Sequence, residues 1–203
     1  TMRRNFLRII TLGLAFVALA AGGYAQERTI EEYLTRSKEL YGAGLYREAK
    51  VELQRAASAA RNLTNDDVVA LTEVELYRAM CDARLGDGTR SLEAFVEQHA
   101  TSSFRSEALL ALGTEYYEKE MWEEAVACFE QVDTKTLSAT QIERLAFECG
   151  HAHYNLANVA ACHKWLQGVL HSEIYGSHAR YMLGLFAYQE EDYATARSIF
   201  SSF

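Results

Sequence analysis

The sequence has 203 residues, of which 49% are apolar and 11% aromatic, so it can form a folded core and is not generally disordered. Proline is absent, whereas an average usage of about 5% predicts about ten, which argues against turn-rich β-sandwiches and proline-rich linkers. The net charge of −8 argues against a general nucleic-acid binder, which needs a basic face.

Residues 1–25 have the layout of a secretory signal peptide. Three arginines precede an uncharged apolar run, which ends in the small residues Gly23 and Ala25. The uncharged stretch is at the short edge for a membrane span, so an uncleaved anchor is the alternative. We therefore expect export to the periplasm, or association with the outer membrane, in a Gram-negative bacterium, with residues 26–203 as the mature chain.

From Thr29 onward, apolar residues recur with the spacing of amphipathic helices, which predicts about ten helices of 12–16 residues. A frame also recurs, in which a small residue comes three positions after a large apolar residue and four before another. The clear copies are Tyr46/Ala49/Leu53, Trp122/Ala125/Phe129, Val159/Cys162/Leu166 and Tyr193/Ala196/Phe200, with a weaker copy at Ser91 and Phe95.

Each frame is preceded by another helix with a small residue twelve positions upstream, namely Ser37, Ala79, Gly113, Gly150 and Gly184. Glycine inside a helix costs about 1 kcal/mol relative to alanine, so its recurrence needs a reason. Close approach of two helices supplies one. We expect the small residue of the first helix to meet the small residue of the second.

This pattern resembles the tetratricopeptide repeat (TPR), a helix–turn–helix unit of about 34 residues. The best copy is Ser106–Val132, which contains Leu109, Gly113, Tyr116, Trp122 and Phe129. The resemblance implies an all-α, right-handed solenoid of about five repeats, approximately 30–63, 72–105, 106–139, 143–176 and an incomplete 177–203. A weaker resemblance links Phe95–Glu118 to exported TPR proteins of envelope assembly and the Tol–Pal system.

The last predicted repeat is truncated in its second helix and ends in apolar residues. Stacked repeats need a polar cap at each end of the array. We therefore expect this end to continue into further chain or to be covered by self-association.

In TPR proteins the first helices of the repeats line a concave surface, and the resemblance implies that positions 5, 9 and 12 of those helices face it. A protein or peptide partner suits such an apolar surface with tyrosine hydroxyls. The alternative is that the tyrosines pack between repeats. The predicted partner-binding residues are Tyr41, Leu76, Met80, Leu110, Tyr117, Phe147, His151, Tyr154, Tyr181 and Tyr188.

No catalytic, cofactor-binding or metal-binding residues are predicted. Cys149 and Cys162 fall on facing helices, so a disulfide is conceivable, but two buried thiols are the preferred interpretation. Zinc held by these cysteines and His153 lacks a complete ligand set. Adjacent carboxylates such as Asp66 and Asp67, after a predicted N-cap at Asn65, indicate solvated helix starts rather than acid–base pairs.

The sequence therefore predicts a non-enzymatic scaffold of the cell envelope that binds a partner peptide or helix on its concave face, without nucleic acid or cofactor. Two alternatives remain. The chain could be the N-terminal helical module of a larger envelope enzyme or transport and assembly machine whose chemistry lies beyond residue 203. It could also bind a glycan or small ligand through its aromatic residues, although an open groove buries less of such a ligand.

Overall fold

The computed structural model describes residues 29–59 and 64–201. The predicted signal peptide and the C-terminal Phe203 lie outside these residues. Within the described ranges there is no strand, and no helix is long and apolar enough to cross a membrane. The helices are α1 (Ile30–Gly42), α2 (Tyr46–Ala59), α3 (Asn65–Asp82), α4 (Arg90–Gln98), α5 (Arg105–Glu118), α6 (Trp122–Phe129), α7 (Ala139–Asn155), α8 (Val159–Leu166), α9 (Gly176–Gln189) and α10 (Tyr193–Phe200).

These helices form pairs that stack in chain order. The helices α1 and α2, α5 and α6, α7 and α8, and α9 and α10 pack most extensively on each other, while α2 contacts α3 and α6 contacts α7. Four apolar clusters consequently follow one another along the stack. This is the arrangement of a repeat protein whose units contact only their neighbours. The predicted all-α solenoid is confirmed.

Glycines on the first helix of a pair make room for a large side chain on the second. A Cβ atom on Gly113 would lie 2.6 Å from Cδ1 of the fully buried Phe129, which is too close for an undisturbed contact. The atoms nearest to a Cβ on each glycine belong to the large residue four positions after the small residue of the second helix, a contact that the prediction of meeting small residues did not include. The pairs are Gly113 with Phe129, Gly150 with Leu166, and Gly184 with Phe200.

The turn between the two helices of a pair contains a left-handed residue at the same frame position in all five repeats. In the third repeat the Met121 N–H donates to the Tyr116 carbonyl at 2.9 Å, while the Glu120 N–H donates to Tyr117 at 3.0 Å. This hydrogen-bond pattern is a Schellman helix end, which sets the angle at which the second helix returns. The left-handed residues are Gly44, Gly86, Glu120, Ala157 and Glu191, with φ values of 76°, 91°, 59°, 54° and 62°.

Extra residues between repeats lengthen α3 and α7, the first helices of the second and fourth repeats, at their N-termini. Helix α5 has 14 residues, whereas α3 has 18 and α7 has 17. The predicted start of the second repeat at residue 72 therefore lies inside α3. The N-cap of α3 is Thr64, whose hydroxyl accepts the Asp67 N–H at 3.2 Å, so the prediction of Asn65 as the cap is wrong by one residue.

Four of the five second helices are shorter than the predicted 12–16 residues, whereas α2 has 14. Helices α6, α8 and α10 have eight residues each and α4 has nine. Their final turns tighten instead of continuing. After α6, the Gln131 N–H donates to the carbonyl of Cys128, three residues earlier. Such i→i+3 bonds are common where a helix ends, and they turn the chain toward the next repeat.

We expect Gly113→Ala to destabilise the protein by about 1–3 kcal/mol, although alanine is the better helix former, because the new methyl group overlaps the Phe129 ring. Gly42→Ala is the matched control, since no atom lies within 4 Å of its new Cβ. Urea denaturation followed by circular dichroism measures both variants. Equal stability of the Gly113→Ala variant and the wild type would contradict the inter-helix contact.

We expect Ala157→Gly to stabilise the protein by about 0.5–1 kcal/mol, because glycine adopts the left-handed conformation at φ 54° without a steric penalty. Ala127→Gly is the control, because Ala127 is exposed inside helix α6, where glycine should cost about 1 kcal/mol. Melting temperatures of the two variants should therefore move in opposite directions. A fall in both would show that the turn does not depend on its left-handed residue.

Candidate binding site on the concave face

Helices α5, α7 and α9, together with the loop before α9, enclose a cavity of 590 Å³ that we call the aromatic groove. Five of its residues belong to the predicted binding set, and they are Tyr117, Phe147, His151, Tyr154 and Tyr181. These side chains come from the first helices of three successive repeats, which is the concave side of a TPR-like array. The structure thus brings half of the predicted residues into one site.

The rings of the aromatic groove are held by ring contacts within and between repeats. Phe147 stacks on Tyr175 at a centroid distance of 4.7 Å, and Tyr154 packs on Phe186 at 4.7 Å. Tyr117 makes an edge contact with Trp122 of its own repeat at 5.5 Å. The alternative interpretation of the tyrosine ladder is therefore correct in part, because several tyrosines hold neighbouring helices together while one side of each remains accessible.

A hydrogen bond joins the Tyr117 hydroxyl to Nδ1 of His151, which lies 34 residues, or one repeat, further along the chain. Burial raises the pKa of Tyr117 to about 12, so this hydroxyl keeps its proton and acts as the donor. Burial, followed by the charge of His178, lowers the pKa of His151. His151 is thus favoured as the neutral imidazole, which suits an apolar groove.

Three predicted binding residues are corrected by their burial. Leu76 and Leu110 are 0% and 1% exposed and belong to the apolar clusters between helices, so they present no side chain to a partner. Met80 is also buried, although it borders a second cavity. Tyr41 lies half-buried at that same cavity. Tyr188 is exposed, packs on Tyr193 at 5.4 Å, and lines neither cavity.

The loop between α8 and α9 supplies residues that the repeat frame did not predict. Ile174 is 68% exposed, and Tyr175 stacks on Phe147. The frame considers only positions within helices, so it cannot place a loop residue. The available sequence signal was an isoleucine–tyrosine pair immediately before a first helix, where a solvated turn would ordinarily carry polar residues. Further lining residues on α9 are His178, Met182 and Leu185.

The second cavity, which we call the carboxylate groove, has a volume of 360 Å³ and lies mainly between α3, α5 and α7. Arg84 crosses one end of it and pairs with Glu115 at 3.2 Å and with Glu118 at 2.6 Å. Glu107 and Glu143 lie along its wall. The concave face therefore combines an aromatic part with a charged part.

The four cysteines are buried free thiols. Cys149 lies in the cluster around Phe129 and Cys162 in the cluster around Leu166, and burial raises the pKa of each to about 12. A thiol with so high a pKa stays protonated and is a poor nucleophile or metal ligand. In residues 29–59 and 64–201 no group of three or more His, Cys, Asp or Glu is placed to hold a metal ion.

No protein-family model matches the sequence, and no curated protein matches it. Several solved structures do. PilF of Pseudomonas aeruginosa has a TM-score of 0.63 at 16% identity, with 85% of this chain and 73% of that chain covered. MamA of strain AMB-1 has a TM-score of 0.60 at 18% identity, covering 85% and 88%. MamA of strain MSR-1 has a TM-score of 0.57 at 18% identity, covering 85% and 97%.

PilF and MamA are TPR-repeat proteins. The fold of this chain is a TPR-type α-solenoid. The predicted right-handed stack of about five TPR-like repeats agrees with these neighbours. At identities of 16–18%, the likeness to PilF and MamA establishes the fold alone.

We expect the His151 ring to titrate below its ordinary pKa of 6.5, and His178→Ala to raise that value because it removes a neighbouring positive charge. Histidine resonances followed by NMR across pH measure both. Because the folded pKa is lowered, this group's contribution to stability is present above pH 6.5 and is lost as pH falls below it. His171→Ala is the control on an exposed histidine, and a His151 pKa at or above 6.5 would contradict the burial argument.

Proposed function

We propose that the protein is a non-catalytic scaffold that binds a peptide or a helix of a partner protein in the aromatic groove of its concave face. The single observation behind this proposal is a preformed cavity of 590 Å³ lined by aromatic rings from three successive repeats. Tyrosine and phenylalanine give large contact area at a low entropic cost, and they are enriched at the centres of protein interfaces.

The rings are held in place before any partner arrives, which favours tight binding. Phe147 is fixed by Tyr175, and Tyr117 by its hydrogen bond to His151. A preorganised surface avoids the cost of ordering side chains on association. We also propose that the scaffold acts in the cell envelope of a Gram-negative bacterium. The signal-peptide pattern of residues 1–25 supports this location.

We expect Tyr181→Ser to weaken capture of partner proteins by the chain, because Tyr181 is 52% exposed and lines the aromatic groove. A loss of about 1–2 kcal/mol of binding free energy is expected for one aromatic contact at an interface. The measurement is affinity capture from a bacterial envelope extract, followed by titration of the captured partner. The Tyr181→Ser variant and the control variant described next are first shown to have the melting temperature of the wild type.

Val51→Ser is the matched control, since Val51 is 51% exposed on α2 and lies outside the groove. It should leave capture unchanged. Equal binding by the wild type and the Tyr181→Ser variant would contradict the placement of the partner in the aromatic groove.

A further inference from the structure

The aromatic and carboxylate grooves adjoin. Ile174 and Tyr175 line both cavities, so the loop before α9 is their common wall. A segment lying along the concave face would therefore place neighbouring side chains in two environments of different chemistry. One is lined by rings, and the other carries carboxylates.

The two arginines that line the carboxylate groove already have acidic partners. Arg84 is held by Glu115 and Glu118, and Nε of Arg144 lies 3.9 Å from Glu148. Glu148 also accepts the Thr114 hydroxyl at 2.6 Å. Arg144 also lowers the pKa of Glu107 from a greater distance, but among the described residues neither arginine forms an ion pair with Glu107 or Glu143.

Glu107 and Glu143 are the remaining acids. Within the part of the chain that the structure describes, Glu107 accepts a hydrogen bond only from the Tyr77 hydroxyl, at 3.3 Å, and Glu143 accepts one only from the Ser172 hydroxyl, at 2.7 Å. Among the described residues, no lysine or arginine lies within 4 Å of either carboxylate. Burial raises the pKa of Glu107, and the Tyr77 hydrogen bond and the more distant charges of Lys38 and Arg144 oppose that rise only in part. A cation from outside would compensate the negative charge of Glu107.

Aromatic rings beside these carboxylates add a second attraction for a cation. Lys38 lies over the Tyr77 ring with Nζ 5.5 Å from the centroid, so this ring already takes part in a cation–π contact. Tyr41 packs edge-on against Tyr77 at 5.6 Å, and Tyr175 borders the groove from the opposite side. A lysine or arginine side chain placed here would meet both carboxylates and rings.

We propose that the two grooves together bind a peptide segment in which a lysine or arginine stands close to an apolar side chain, with the basic residue beside Glu107 and Glu143 and the apolar residue among the rings of the aromatic groove. This inference rests on the proposed function and specifies the chemistry of its partner. An acidic segment is disfavoured, because it would bring further negative charge to two carboxylates that form no ion pair among the described residues.

The test uses fluorescein-labelled glycine–serine peptides that carry one tryptophan and one arginine at increasing separations. Matched peptides replace the arginine with glutamine or glutamate, or the tryptophan with glycine. Fluorescence anisotropy gives the Kd for the protein lacking residues 1–25, and for its Glu107→Gln, Glu143→Gln and Glu97→Gln variants. Glu97 is exposed on α4 outside both grooves, so its variant controls for the loss of one negative charge.

At the best separation, the arginine peptide should bind the wild type about tenfold more tightly than the glutamine peptide, as expected for one charge-assisted contact. This ratio should fall toward one in the Glu107→Gln and Glu143→Gln variants and persist in the Glu97→Gln variant. Replacing tryptophan should weaken every arginine and glutamine peptide alike. Melting temperatures establish that the variants remain folded.

The other outcomes contradict either the specificity for a basic residue or the proposed function. Equal binding of arginine and glutamine peptides, with tryptophan still required, would refute the basic-residue specificity and leave the proposed function intact. Preference for the glutamate peptide, or a preference for arginine that survives both groove substitutions, would also refute the assignment. Absence of binding by every peptide would count against the proposed function itself.

Discussion

The solenoid depends on one steric relationship, the seating of a large apolar side chain against a glycine backbone within a helix pair. Gly113 with Phe129, Gly150 with Leu166, and Gly184 with Phe200 repeat it in three successive pairs. The missing Cβ lets the second helix approach, and the ring or branched side chain then fills the space that a Cβ would take. The helical glycines cost about 1 kcal/mol each, which the burial of the facing side chain offsets.

This relationship explains why the fold was predictable from one sequence. The small and large residues recur at matched positions, and the helices they define are those of the structure. The large residue nearest to each glycine was not predicted, because spacing along the chain gives the face of a helix but not the height at which two helices cross. The lengths of four second helices were overestimated, because hydrophobic periodicity continues through final turns that tighten and leave the α-helix.

The binding site was less predictable, because equal positions in different repeats have different neighbours. Position 5 holds Leu76 and Leu110, which are enclosed between helices, yet in the last repeat it holds Tyr181, which is 52% exposed. The exposure of this position therefore differs between repeats, and the repeat frame alone does not give it. Tyr175 escaped prediction because it lies in a loop, although its ring contact with Phe147 shapes the groove.

Several tyrosines of the concave face pack between helices and also line the groove. A substitution at such a tyrosine therefore affects both the packing and the groove surface. The Tyr117 hydroxyl is tied to His151 in the next repeat, so a substitution there alters the contact between repeats as well as the surface offered to a partner. Tyr181 stands apart, because it is exposed at the open side of the groove and makes only a distant ring contact with Phe200 at 6.0 Å.

Specificity can therefore vary at rim positions such as Tyr181, Ile174 and Glu143, while the rings between repeats keep the curvature of the surface fixed. A repeat array gains stability from every interface between its units, so the residues at those interfaces are the ones least free to be replaced. The charged and aromatic rim residues carry no such constraint. In the binding mode proposed above, the rim selects the partner and the ring contacts beneath the rim position it.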